Sequence, residues 1–217
     1  MSSTTTSPAG VPLRRPESLV IVWVNGAFGI GKSHTAAELV RRVPGAVLSD
    51  PEHAGFGLQR MQPKPLRTDF QDVAGWRVAG REVIAGGDAD GRWPGVVVPM
   101  TIVDEGYFED TVGWLRDHGH DVRHVALVAT AETIRRRLRR RASNIVRETW
   151  ALGQMERCTT ALTSPVFATQ VRTDGLGLDE VVEEVARVVG LDLGRPALPR
   201  WRQGPRRLIV GVGLIRL

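Results

Sequence analysis

The chain has 217 residues, 42% of them apolar and 24% charged, with a formal net charge of +5. That make-up fits one globular domain with short appendages and excludes a disordered or fibrous protein. A single cysteine, Cys158, excludes an internal disulfide and fits a cytoplasmic location, and no run approaches the ~20 apolar residues that span a bilayer or reads as a secretory signal. The positive charge is almost all arginine: of 29 basic residues only Lys32 and Lys64 are lysine, and six arginines fall within Ile134–Arg141. No aromatic residues interleave with that cluster as a stacking platform for bases would require, so polyphosphate is the expected anion and no nucleic-acid partner is expected.

Met1–Ser18 is Ser/Thr/Pro-rich and is expected to be a disordered extension. Leu19–Val24 is apolar and β-branched, the pattern of a strand buried on both faces of a parallel sheet. Gly26-Ala27-Phe28-Gly29-Ile30-Gly31-Lys32-Ser33 follows at once, and a helix is predicted from Ser33-His34 to Arg42, stopped by Val43-Pro44-Gly45. Strand, G-x-x-x-x-G-K-S and helix in that order make a phosphate-binding loop. Its backbone N–H groups and the helix N-terminus, including His34, face the phosphates. Lys32 is expected on the β- and γ-phosphates and the Ser33 hydroxyl on Mg²⁺, which makes ATP and Mg²⁺ the expected cofactors.

Ala46–Ser49 reads as a second strand that delivers Asp50 to the carboxyl edge of the sheet. There Asp50 has three candidate roles: taking a proton from a substrate hydroxyl, holding the Mg²⁺ shell with Ser33, or capping a short helix that starts at Pro51-Glu52 and runs to Gly57 or Met61. A helix over Phe70–Ile84, stopping at Gly86-Gly87, has Asp69 as its natural N-cap. Asp69, Asp72, Trp76 and Arg77, with Glu52, are the candidate walls of a substrate pocket. Gly95–Met100 is a third strand, and Thr101 beyond it joins the substrate candidates. Ile102-Val103-Asp104-Glu105 looks like the end of a Walker B strand, but Pro99 interrupts the run, so Asp104 is read as the N-cap of a helix over Gly106–His118.

Val122–Val128 is a fourth strand and Ala131–Arg141 a basic helix. Arg137 and Arg141, four apart, share one of its faces and are placed to neutralise a transferring phosphoryl group, with Ala142–Arg147 as a short lid. A helix over Glu148–Leu162 and a fifth strand over Val166–Val171 come next, and the backbone around Thr173 is expected to meet a nucleotide base. Leu178–Val189 is the last helix, its apolar stripe at helical spacing. Five strands alternating with helices imply an α/β, three-layer P-loop fold with a parallel sheet. Residues 191–217 form a basic and apolar tail, expected as a docked segment or edge strand, with a peripheral membrane contact as the sharper alternative.

Val24–Ser33, Asp50-Pro51-Glu52 with Gly55, Asp69–Asp72 with Trp76-Arg77, Val98–Thr101, Arg137-Leu138 with Arg141, and Trp150-Ala151 with Gln154 and Cys158 together resemble the tunicamycin-resistance ATP-binding proteins of bacteria. The likeness covers most of Leu19–Gly190, taken as the kinase-like domain. More distantly the layout is similar to chloramphenicol phosphotransferase and shikimate kinase, which keep an acidic residue after the second strand and arginines at the lid. The resemblance implies ATP binding and resistance to a nucleoside antibiotic, by phosphorylation of a small-molecule hydroxyl or by sequestration of the drug. Oligomeric state, monomer or homodimer, stays open.

Overall fold

Seven consecutive buried residues, Val20–Gly26, form β1 at the centre of a five-stranded, all-parallel sheet. In a computed structural model, which describes residues 20–89, 93–139 and 145–199 (88–89 and 145–152 in backbone only), its partners are β3 (Gly95–Pro99) and β4 (Asp121–Val128). The short β2 (Val47–Leu48) pairs with β3 and β5 (Gln170–Arg172) with β4, giving the order β2-β3-β1-β4-β5. Pro99 is accommodated at the end of β3. The N–H of Met100 donates to the Val24 carbonyl on the β1 side, so the missing N–H of Pro99 falls on the β2 side, where pairing ends with Ser49 N–H to Val97.

Alternation along the central strands divides the core in two. Val20, Val22, Val24, Val125 and Leu127 face one layer, made by α1 (Lys32–Arg42), α6 (Ala131–Arg139), α7 (Ile145–Ala161) and α8 (Leu178–Val189). Ile21, Trp23, Val96 and Val98 face the other, where α3 (Ala74–Ala89), α4 (Glu105–Phe108) and α5 (Trp114–Asp117) supply Trp76, Ile84, Phe108 and Leu115. This is the expected three-layer α/β architecture.

Four expectations are corrected. The helix expected from Phe70 starts with a 3₁₀ turn at Phe70–Asp72, and α3 then runs through Gly86-Gly87 to Ala89. Packing of Trp76 and Ile84 outweighs the weak propensity of its glycines. The helix expected over Gly106–His118 contains a π turn at Glu109–Gly113 between α4 and α5. There the Thr111 hydroxyl bonds back to the Tyr107 and Phe108 carbonyls, and Gly113 lies so close to the Glu109 carboxylate that a Cβ would sit 2.4 Å from it. The fifth strand starts late because Pro165 sets a 3₁₀ turn over Pro165–Phe167, capped by Ser164. Helix α7 begins at Ile145, ahead of the expected Glu148.

Helix α2 (Glu52–Met61) follows Asp50, and Gly55 lets it close against the ring of Phe70. Helix α8 is closed by a capping bond from the Gly177 N–H to Glu180 and by Gly190 in the left-handed region at φ 64°. Residues 191–199 lie against α1: Arg195 N–H donates to the Arg42 carbonyl and the Arg42 guanidinium donates back to Arg195. Among the described residues no helix is long and apolar enough to cross a membrane.

Candidate active site

The loop between β1 and α1 turns on glycines that tolerate no side chain. Gly26 has φ +146° and a Cβ there would lie 2.9 Å from both Ile30 and the Leu127 carbonyl. Gly29 has φ +83°, and its Cβ would lie 2.6 Å from Leu138 of α6. Lys32, in the first turn of α1, is buried. Its ammonium donates to the carbonyls of Gly26 at 3.0 Å and Ala27 at 3.3 Å and lies 5.3 Å from the centroid of the Phe28 ring. Ser33 and His34 follow it, both half-buried.

Asp50 sits where β2 should deliver it. One of its oxygens accepts the Glu52 N–H at 3.0 Å, so it does cap the turn into α2. Burial raises its pKa above the ordinary carboxylate value, against the opposing pull of the Glu52 N–H and of the His53 and Lys32 charges. β1 and β2 run parallel in one sheet, so Asp50 after β2 lies on the same carboxyl edge from which the phosphate loop leaves β1. Among the described residues no three His, Cys, Asp or Glu side chains gather to hold a metal. Mg²⁺ does not require such a cage: it is commonly held by one or two protein oxygens, phosphates and water, which Ser33 and Asp50 suit.

Four of the expected pocket walls, Asp69, Asp72, Trp76 and Arg77, are each bonded to other residues of the protein. The Trp76 ring is buried and its indole N–H donates to the Pro51 carbonyl at 2.9 Å, so it props the turn after Asp50 from below. Arg77 donates to Asp110 at 3.0 Å and to the Gln71 carbonyl, and its guanidinium lies 4.2 Å over the Tyr107 ring. Asp69 accepts the Gln71 N–H as the N-cap of the 3₁₀ turn, and Asp72 accepts the Tyr107 hydroxyl at 3.0 Å. Thr101 is buried, and its hydroxyl donates to the Gly26 carbonyl at 3.0 Å. That bond ties the chain after β3 to the first glycine of the loop. Glu52 opens α2 beside Asp50, half-buried.

Arg137 likewise acts on the protein. Its guanidinium donates to the Ile30 carbonyl at 3.0 Å, to the Thr173 hydroxyl at 2.8 Å and to the Thr173 carbonyl at 2.6 Å. It thereby ties the phosphate loop to the loop after β5. Thr173 is fully buried and its N–H donates to Val128, so this residue presents little backbone to a base. Arg135, Arg136 and Arg139 are exposed. Arg141, the lid residues 142–144 and the tail beyond Pro199 lie outside the described residues.

Asp104 caps α4 by accepting the Tyr107 N–H at 2.9 Å, and Glu105 accepts the Ser164 hydroxyl at 2.5 Å. The two acids of the Walker B alternative are therefore engaged in helix ends. Two site residues were missed in the sequence. Asn25, fully buried, bonds the Gly26 N–H and both backbone groups of Ile102. Its only signal was a lone amide at the end of an apolar strand. Tyr107, the single tyrosine, closes the stretch Met100–Tyr107 that was expected to help form the pocket, but it was not singled out; it links Asp72 to Arg77.

The AAA domain family matches residues 21–165. The tunicamycin resistance protein of Deinococcus radiodurans is 31% identical with a TM-score of 0.68, the match covering 82% of this chain and 99% of that one. A gluconokinase from Sinorhizobium meliloti 1021 (18% identity, TM-score 0.57, 82% of this chain and 94% of that one) shares the fold. So does a shikimate kinase from Bacteroides thetaiotaomicron (13%, TM-score 0.53, 79% and 99%). No curated protein matches by sequence. A G-x-x-x-x-G-K-S loop in this sheet order, matched along nearly the whole length of one relative, is a family property: the chain belongs to the AAA-domain family of P-loop proteins and, within it, to the bacterial tunicamycin-resistance ATP-binding proteins.

Proposed function

We propose that this protein is an ATP- and Mg²⁺-dependent phosphotransferase that acts on a hydroxyl of a small molecule of the tunicamycin type, in the cytoplasm. The observation that carries the proposal is the place of Asp50: a carboxylate that follows β2 on the carboxyl edge of the parallel sheet from which the phosphate loop leaves β1, and whose proton affinity burial raises. The backbone of Gly26–Ser33 cradles the β- and γ-phosphates, and Lys32 leaves its carbonyl partners to meet them. Ser33 would hold Mg²⁺, which would supply charge neutralisation on the phosphates. The acceptor oxygen attacks the γ-phosphorus and the bond to the ADP oxygen breaks. The hydroxyl proton passes to Asp50.

Mass spectrometry of tunicamycin incubated with protein, ATP and Mg²⁺ tests the proposal directly. One added phosphate is expected. Asp50→Asn should lower turnover at least about a thousandfold while the ATP dissociation constant changes less than about threefold. A large loss of ATP binding would make Asp50 a metal-site residue. A second reading, ATP-dependent sequestration without transfer, is favoured by the engagement of Arg137 with protein carbonyls. It predicts an unmodified drug in the same experiment and protection of cells nonetheless.

A further inference from the structure

A fully buried carboxamide at the end of β1 needs an account, because burying an amide without partners costs stability. Asn25 has three partners. Its Oδ1 accepts the Gly26 N–H at 2.7 Å and the Ile102 N–H at 3.1 Å, and its Nδ2 donates to the Ile102 carbonyl at 2.7 Å. The side chain thus pairs both backbone groups of Ile102 and prolongs the β1–β3 contact beyond Pro99, where regular pairing ends. One residue away, the Gly26 carbonyl is shared. It accepts the Lys32 ammonium at 3.0 Å and the Thr101 hydroxyl at 3.0 Å, one for each lone pair.

We propose that Asn25 and Thr101 are positioning residues that carry nucleotide occupancy from the phosphate loop to residues 101–104 and on to the acceptor side. The inference rests on the nucleotide-binding role of Gly26–Ser33 proposed above. When Lys32 turns to the phosphates, the Gly26 carbonyl keeps Thr101 as its remaining side-chain donor, and that bond tightens. Asn25 holds Ile102 in register with the same glycine, so the loop moves with it rather than slipping past. Beyond Ile102 the chain enters α4 at Asp104, whose carboxylate fixes the Tyr107 N–H, and the Tyr107 hydroxyl donates to Asp72. A line of bonded groups therefore joins the phosphate loop to Asp72, one of the acids expected at the substrate pocket.

Hydrogen exchange of the full-length protein, with and without the β,γ-imido analogue of ATP and Mg²⁺, tests this. In the wild type the Ile102 and Tyr107 amides should exchange about tenfold more slowly when the analogue is bound. Thr101→Val should bind the analogue within about threefold of wild type yet show less than about a twofold slowing at Ile102, and Thr101→Ser should restore the full effect. Asn25→Asp keeps the acceptor oxygen and loses the donor to the Ile102 carbonyl. It should show the same uncoupling, and it carries the comparison if Thr101→Val does not fold. Nucleotide-dependent slowing as large in both variants as in the wild type overturns the inference, as does a wild type that binds the analogue without any change at Ile102. A wild type that binds no nucleotide overturns the function proposed above instead.

Discussion

At Gly29 the phosphate loop touches α6, and the contact leaves no room for even one carbon. A Gly29→Ala side chain would meet Leu138 at 2.6 Å on a backbone held at φ +83°. Left-handed backbone and overpacking together should cost roughly 2–4 kcal/mol. Because the strain lies inside the loop, ATP affinity measured by calorimetry should fall about tenfold or more even where the variant stays folded. Unchanged affinity would mean the loop tolerates the shift. At this scale the sequence was legible where a residue's place is set by its own backbone neighbourhood, as for Lys32 and Ser33 at the start of α1 and Asp50 at the turn into α2. It was not legible where a side chain's role depends on a distant partner. Trp76 and Arg77 have the composition of a binding wall, yet Pro51 and Asp110 turn them into supports.

Among the elements, the layer formed by α4, the Pro165–Phe167 turn and β4 encloses His124. The ring is 5% exposed, stacks edge-on against Phe108 at 4.8 Å, and its Nε2 finds no hydrogen-bond partner among the described residues. Burial, helped by the nearby Arg116 charge, holds its pKa down to about 4 from 6.5. The folded state favours the neutral ring, so its contribution is fully present above pH 6.5 and is lost as pH falls toward 4. The loss should approach about 3 kcal/mol, from the size of that shift. Denaturant melts between pH 7 and pH 4 should show the decline, and His124→Phe should flatten it. Asp174 acts in a lower window. Burial opposes its ionisation, but bonds from Thr133, Thr130 and Arg172 hold it at about 2, so its contribution is lost only as pH falls from 3.8 toward 2. The elements themselves were readable from periodicity. The π turn and the late fifth strand were not, since Thr111 back-bonding and the Pro165 turn override the local pattern.

For the whole molecule, the segment from Leu191 to Pro196 joins the end of the chain to the far end of the nucleotide helix. Leu191 and Leu193 pack on the core, Arg195 N–H satisfies the Arg42 carbonyl at 3.0 Å, and Arg41 donates to the Pro196 carbonyl at 2.7 Å. Removing residues 191–217 should lower unfolding stability by roughly 3 kcal/mol relative to a chain ending at Pro199, with faster exchange in the last turn of α1. Equal stability of the two chains would show that the segment only rests on the surface. The sequence by itself determined the phosphate loop, the alternation of strands and helices, and the placing of Asp50 after β2, because each is written in residues close along the chain. Only the tertiary structure decided that Arg137 braces Ile30 and Thr173, that Asn25 clasps Ile102 and that Arg77 is held by Asp110. Those partners lie 107, 36, 77 and 33 residues apart, and the order of the strands, not any local pattern, brings them within hydrogen-bond distance.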